Sequence, residues 1–304
     1  MVMRNRSVLV TGATGRQGGA VIRYLLTKGW KLRALTRNPG SRTAEDLKGQ
    51  GVEVIQGDLE DPESLERAML GVYGVYSVQD FWSVGVSREI RQGKNVADVA
   101  KRRGVEHFVY SSVGGAERNF GIDHWESKWE IENHIRKLGL PATILRPAAF
   151  MENYYIDQVE IGILRGKLMD PIRADKPYQT IATEDIGAFA ALAFERPEEF
   201  IEKELEIAGS ELTNPEAAQV FSRVLDKPVK FQKIPMMMVR LMLGREFYQM
   251  FRWFNAEGFK ADIGELRRRY PEVHLYNLEE WLRKEGWQKR ARRVRAPKST
   301  VAKA

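Results

Sequence analysis

Hydrophobic positions along this chain switch repeatedly between two periods, and the switching predicts its architecture. Ser7–Thr11 is a short apolar run rich in β-branched residues, as in a strand buried on both faces. Ala20, Val21, Leu25 and Leu26 then recur at helical spacing. Lys31–Thr36 reads as a second strand, 41–50 as a short helix and Val52–Gln56 as a third strand. A helix starting near Pro62 leads to a fourth strand, Val72–Val78. A helix over Val86–Arg103 leads to a fifth, His107–Ser111, and a helix from about His124 to a sixth, Leu140–Leu145. Strands alternating with helices predict an α/β fold with a doubly wound parallel sheet.

After Asn153 the pattern changes. The spacing predicts a helix at 154–165 and an amphipathic helix over Glu184–Phe194, opened by Thr183 and two acids. Leu205–Ala208 and Val229–Ile234 read as strands, and 213–226, 262–269 and 278–285 as helices. The Met- and aromatic-rich segment Met236–Phe254 reads first as core. Met-rich surfaces also adapt to varied ligands, so an apolar pocket or a protein interface is the second reading.

The junction between the first strand and its helix carries the chemistry. It reads Gly12-Ala13-Thr14-Gly15-Arg16-Gln17-Gly18, a GxxGxxG loop. Gly12 permits the tight turn, Gly15 lets a pyrophosphate approach the backbone, and Gly18 lets the helix pack on the sheet. The helix N-terminus then aims unpaired N–H groups at phosphate. NAD-binding versions of such a unit place an acid at the end of the second strand; here stands Thr36-Arg37-Asn38. Arg37 is suited to clamp a 2′-phosphate, and Arg16 adds charge nearby, so NADP(H) is expected over NAD(H). Asp58 and Leu59 follow the third strand. Asp58 is read as an adenine contact or as a cap for the next helix. Gln79 and Phe81 follow the fourth strand and are expected beside the cofactor.

The expected division is a Rossmann domain over 1–153, rejoined by 184–208, and a smaller interleaved C-terminal lid over 154–183 and 209–287. Residues 288–304 read as a basic, disordered tail. The tail matters because the net charge is +7 and residues 289–304 hold seven Lys and Arg and no acid; without them the chain has 41 basic and 41 acidic residues. The folded body is therefore neutral, and specific nucleic-acid binding is not expected. There are no cysteines, which excludes disulfides and thiol catalysis. The start, MVMRNRS, has no signal-peptide core, and no apolar run reaches the roughly 18 residues that span a membrane. A cytoplasmic protein is expected, with oligomerisation open. His107, His134 and His274 are scattered, so no metal site is expected.

TGATGRQGGAV, ALTRNP, VEVIQGDLED, FVYSSV, HWESKWEIENHIRKLGLPATILRPAAFMENY and YNLEEWLRKEGW follow one another along nearly the whole chain. In this order they resemble the NmrA-like family, an atypical branch of the short-chain dehydrogenase/reductase superfamily. The resemblance implies a dinucleotide contact at Lys128, with Pro147 and Phe150 beside the cofactor. Dehydrogenases of the superfamily use Ser, Tyr and Lys, with Tyr-x-x-x-Lys on one helix face. Here Lys128 and Ser111 match, and Ser112 adjoins, but His124 occupies the Tyr position. That departure resembles NmrA-like members that bind the dinucleotide as regulators or redox sensors. Other members that lack the Tyr are NADPH-dependent quinone reductases. The expected function is NADP(H) sensing. The alternative is reduction of a small apolar carbonyl or quinone, with His124 as proton donor, since imidazole works as an acid near neutral pH.

Overall fold

The computed structural model describes residues 6–118 and 120–290. The chain forms two compact units. Of the described residues, one unit comprises those up to Ala148 with Thr183–Ala208 and Lys260–His274; the other comprises Ala149–Ala182, Gly209–Phe259 and those from Leu275. Residues 260–274, expected in the lid region, thus pack with the first unit. Tyr270 explains this: its ring lies 5.6 Å from Phe189 and 5.2 Å from Phe200, both fully buried.

In the first unit, six strands run β1 (Ser7–Val10), β2 (Lys31–Thr36), β3 (Glu53–Gln56), β4 (Gly74–Ser77), β5 (His107–Ser111) and β6 (Ala142–Pro147). A seventh, Glu204–Ile207, closes the edge beside β6. All pairs are parallel, in the spatial order Glu204–Ile207, β6, β5, β4, β1, β2, β3. The direction of winding reverses at β1, which lies between β2 and β4. This is a Rossmann sheet, and the crevice for a ligand opens outside the carboxyl ends of β1 and β4.

Strand alternation sorts the two faces. Leu9, Val75, Phe108, Tyr110 and Ile144 join the core under helices Val86–Arg102 and Asp123–Leu138. Those helices approach closely because residue 93 is glycine: a Cβ there would lie 2.5 Å from Ile131 Cδ1. On the opposite face helix Arg16–Thr27 packs against Thr183–Glu195, where a Cβ at Gly187 would lie 2.6 Å from the Ala20 backbone.

The second unit holds a three-stranded sheet, Ser210–Thr213, Pro177–Ile181 and Ala149–Phe150, and a parallel pair, Lys167–Asp170 with Lys230–Lys233. Its core gathers Leu168, Phe221, Trp281 and Trp287. The helix expected at 154–165 is a 3₁₀ turn, Met151–Tyr155, and a separate helix, Asp157–Leu164. Helix Met236–Ala256 corrects the core reading of the Met-rich segment. Val239, Trp253 and Phe254 are buried, but Met237, Met238, Leu241, Met242 and Leu243 are exposed. Gly244, at φ +86°, breaks the helix between the two halves. Arg290 pairs with Glu160 at 2.8 Å and lies over the Tyr155 ring. The rest of the basic tail, from residue 291, lies outside the described residues. Among the described residues no helix is long and apolar enough to cross a membrane.

Candidate functional site

The glycine loop leaves β1 and opens helix Arg16–Thr27. Gly12 has φ +58°, and a Cβ on it would lie 2.8 Å from Val78 Cγ1. A Cβ on Gly18 would fall 2.3 Å from the Gly12 carbonyl oxygen, so the helix start packs directly on the turn. Thr11 holds the turn against the end of β4: its hydroxyl donates to the Val78 carbonyl at 3.0 Å and accepts from the Val78 amide at 2.8 Å. The helix has no side-chain cap and no acid in its first turn. Its N-terminal N–H groups and dipole therefore face the crevice uncompensated, which favours an anion. Thr14, Gly15 and Arg16 are exposed along the loop. These features fit a pyrophosphate.

Arg37 is exposed just past β2 and makes no ion pair among the described residues. Asp58 is partly buried after β3. Its carboxylate accepts from the Glu60 amide at 2.9 Å, and the helix cap is Asp61, which accepts from the Glu63 amide. The Leu59 carbonyl accepts from Asn95 Nδ2 at 3.0 Å. Gln79, buried past the end of β4, donates to Ser77 Oγ at 2.9 Å, while its Oε1 is buried without a partner among the described residues. A buried amide oxygen left unpaired at the crevice is suited to a ligand donor.

The residues expected to do chemistry are mostly engaged within the protein. Ser111 is buried and donates to Gln17 Oε1 at 2.7 Å; the Tyr76 hydroxyl donates to the same oxygen at 3.2 Å. Gln17 thus turns toward the sheet and ties the loop to β4 and β5. Ser112 donates to buried Glu132 at 2.5 Å. Glu132 also binds Arg146 and Arg136, each at 2.6 Å, and Arg146 reaches Glu204 at 2.7 Å. Glu117 links Arg146, at 3.1 Å, to Arg118, which also joins Glu206 at 2.7 Å; Glu206 accepts from the Gly115 amide at 3.1 Å, so the network runs from buried Glu132 out to the start of the loop after β5. The Gly114 amide donates to the carbonyl of buried Pro147 at 2.9 Å. Phe150, in the second unit, is partly buried on its short strand.

Lys128 Nζ lies 2.9 Å from Glu89 Oε1, and Ser127 donates to the other Glu89 oxygen. Glu89 is fully buried and the Lys128 side chain nearly so. The sequence offered little signal for Glu89: an acid in the first turn of a helix reads as a solvated charge facing the dipole. His124 is buried among aromatic rings, 5.2 Å from Phe81, 5.1 Å from Trp82 and 5.8 Å from Trp125. Phe81 and Trp82 form a short helix after β4, and Trp82 is 60% exposed. The i, i+4 spacing does put His124 and Lys128 on one helix. Of the other histidines of this unit, burial lowers His107 to about 4, with Nε2 on Thr143 Oγ1 at 2.8 Å, and His134 meets Asp98 at 2.7 Å.

A model of the NmrA-like family matches residues 4–282. The chain belongs to that family. An NmrA-like family domain-containing protein of Dictyostelium discoideum is 31% identical over 300 residues, covering 92% of this chain and 98% of its own. The nitrogen metabolite repression protein of Emericella nidulans is 25% identical over 257 residues, covering 79% and 72%. The crystal structure of Citrobacter sp. triphenylmethane reductase complexed with NADP(H) superposes with a TM-score of 0.75 at 24% identity, covering 91% of this chain and 99% of the other. The family thus contains a named regulator, and the fold a named reductase.

Proposed function

We propose that this NmrA-like chain binds NADP(H) and acts as a dinucleotide sensor or regulator. What supports the reading is a contrast within one unit: the phosphate loop is intact, while the groups that would serve a dehydrogenase are bound to the protein itself. Ser111 serves Gln17, Ser112 serves Glu132 and Lys128 serves Glu89. Gly12, Thr14, Gly15, Arg16 and Gly18 would form the pyrophosphate cradle and Arg37 would hold the 2′-phosphate. Asp58 and Leu59 would flank the adenine end, with Gln79, Phe81, Lys128 and Pro147 toward the nicotinamide end. Gln17 holds the cradle in register through Ser111 and Tyr76. When bound, the dinucleotide supplies hydride chemistry; the chain contributes binding, orientation and exclusion of water by the Phe81 and Trp82 rings. Occupancy is read out through the Gly114–Asp123 loop if a partner favours one dinucleotide state. A cytoplasmic location goes with this reading.

One observation favours a second reading. The exposed Trp82 ring beside Phe81 and His124 is a surface on which a flat apolar acceptor can stack. A quinone or small apolar carbonyl there makes the chain an NADPH-dependent reductase, with His124 as the proton donor. Calorimetry with each dinucleotide, followed by NADPH absorbance with a panel of quinones and aldehydes, separates the two. The sensor reading expects tight NADP(H) binding and no turnover; sustained NADPH oxidation on any acceptor refutes it. In that event His124→Ala lowers kcat by about 10²–10⁴-fold, the range for a positioned acid. In a silent protein, carbonyl reduction gained by His124→Tyr marks a dehydrogenase site with one part removed.

A further inference from the structure

We infer that Glu89 sets the relative affinity for the oxidised and reduced dinucleotide by cancelling the charge of Lys128. The inference rests on the NADP(H) reading above and names the residue that tunes it. Oxidised and reduced nicotinamide rings differ by one positive charge, so any uncompensated charge near that ring biases the equilibrium between them. Lys128 lies one turn along the helix from His124, which packs against Phe81 and Trp82 past the end of β4. On the NADP(H) reading it lies toward the nicotinamide end of the crevice that the glycine loop opens. A bare ammonium there repels the oxidised ring and leaves the reduced one untouched.

Glu89 removes that bias. Its carboxylate has no exposure to solvent, stands 2.9 Å from Lys128 Nζ and takes the Ser127 hydroxyl on its second oxygen. The pair is neutral as a whole, and both oxygens are satisfied, as a buried carboxylate requires. Because Glu89 and Lys128 come from different helices, Val86–Arg102 and Asp123–Leu138, the pair also fixes where the ammonium sits. The close approach of those helices at Gly93 and Ile131 holds the geometry. Charge compensation and positioning are separable, because only the first distinguishes two ligands of equal shape and unequal charge.

The test is the ratio of dissociation constants, Kd for NADP⁺ over Kd for NADPH, by calorimetry on the full chain. Glu89→Gln keeps the shape and one acceptor but leaves Lys128 uncompensated. The ratio should rise about tenfold, as expected for unit charges roughly 10 Å apart at an effective dielectric near 20. Adding Lys128→Met to Glu89→Gln removes the uncompensated ammonium and should restore the wild-type ratio, whereas Lys128→Met alone should leave the ratio near the wild-type value, because a fully buried carboxyl deprived of its cation takes up a proton. A structural role alone would change both constants together and leave the ratio fixed; that result overturns the inference. If Glu89→Gln does not fold, Glu89→Ala, which also leaves the ammonium uncompensated, decides the matter, and an unchanged ratio there overturns the inference equally. A wild-type chain that binds neither dinucleotide overturns the proposed function and this inference together, whereas binding of both with invariant ratios overturns this inference alone.

Discussion

Gly18→Ala is the sharpest test of how the loop is built, because its neighbour supplies the control. An added Cβ at residue 18 would lie 2.3 Å from the Gly12 carbonyl oxygen, 2.6 Å from its carbonyl carbon and 2.9 Å from Ala13 Cα. All three are backbone atoms of the turn, so no side chain can rotate away. Reaching ordinary contact moves helix or turn by about 1 Å, and overpacking of this kind costs about 1–3 kcal/mol. Alanine in a helix recovers roughly 0.5–1 kcal/mol. The net loss should be about 1–2 kcal/mol. Gly19→Ala, one residue along the same helix, would meet nothing nearer than the Arg23 guanidinium at 3.5 Å, and should be neutral or stabilising by roughly 0.5–1 kcal/mol. Urea titration followed by tryptophan fluorescence gives the comparison, read from the midpoint at constant slope. Thermal melts should separate the two variants by several degrees, at roughly 2–4 °C per kcal/mol for a unit of this size. NADPH affinity should fall for Gly18→Ala and hold for Gly19→Ala. Coincident melts and equal affinities would show that the turn yields freely, and the packing explanation of Gly18 would be abandoned.

Arg37→Ala should weaken NADP⁺ binding by about 1–3 kcal/mol while leaving NAD⁺ nearly unchanged, since the charge-assisted contact serves only the 2′-phosphate; equal affinities for the two dinucleotides in the wild-type chain would remove the basis for Arg37 as the selector. Asp170, in the second unit, accepts from the Ile172 amide at 2.7 Å and Asn214 Nδ2 at 3.2 Å, yet burial raises its carboxyl to about 6. A raised carboxyl pKa means the folded state holds a proton that the unfolded chain releases, so this group's contribution declines as pH rises from about 4 to about 6. Asp170→Asn should therefore be better tolerated at pH 7 than at pH 4, by at most about 3 kcal/mol before solvent screening is allowed for. Urea midpoints at the two pH values check this, and a larger loss at pH 7 would contradict it.

The βαβ unit was legible from local pattern because a strand buried on both faces, a glycine turn and an amphipathic helix each carry their own period. The same holds for strands β1 to β6 and the edge strand at 204–207, all found within a few residues of their expected positions. The small strands at 167–170, 177–181 and 210–213 were not legible: they are four or five residues long, partly exposed, and defined by partners far along the chain. The exposed turns of helix Met236–Ala256 were misread for a related reason, since hydrophobic spacing says which residues share a face and not whether anything covers it. At the candidate site, the sequence carried the glycine loop, Arg37, and His124 in place of tyrosine, because these depend on residue type and spacing alone. Only the tertiary structure decided which of the polar groups remain available. Ser111 and Gln17 are 94 residues apart, and Lys128 and Glu89 are 39 apart. A hydroxyl or an ammonium looks the same in a sequence whether it faces a crevice or a buried carboxylate, and that difference is set by which helices pack together across the sheet.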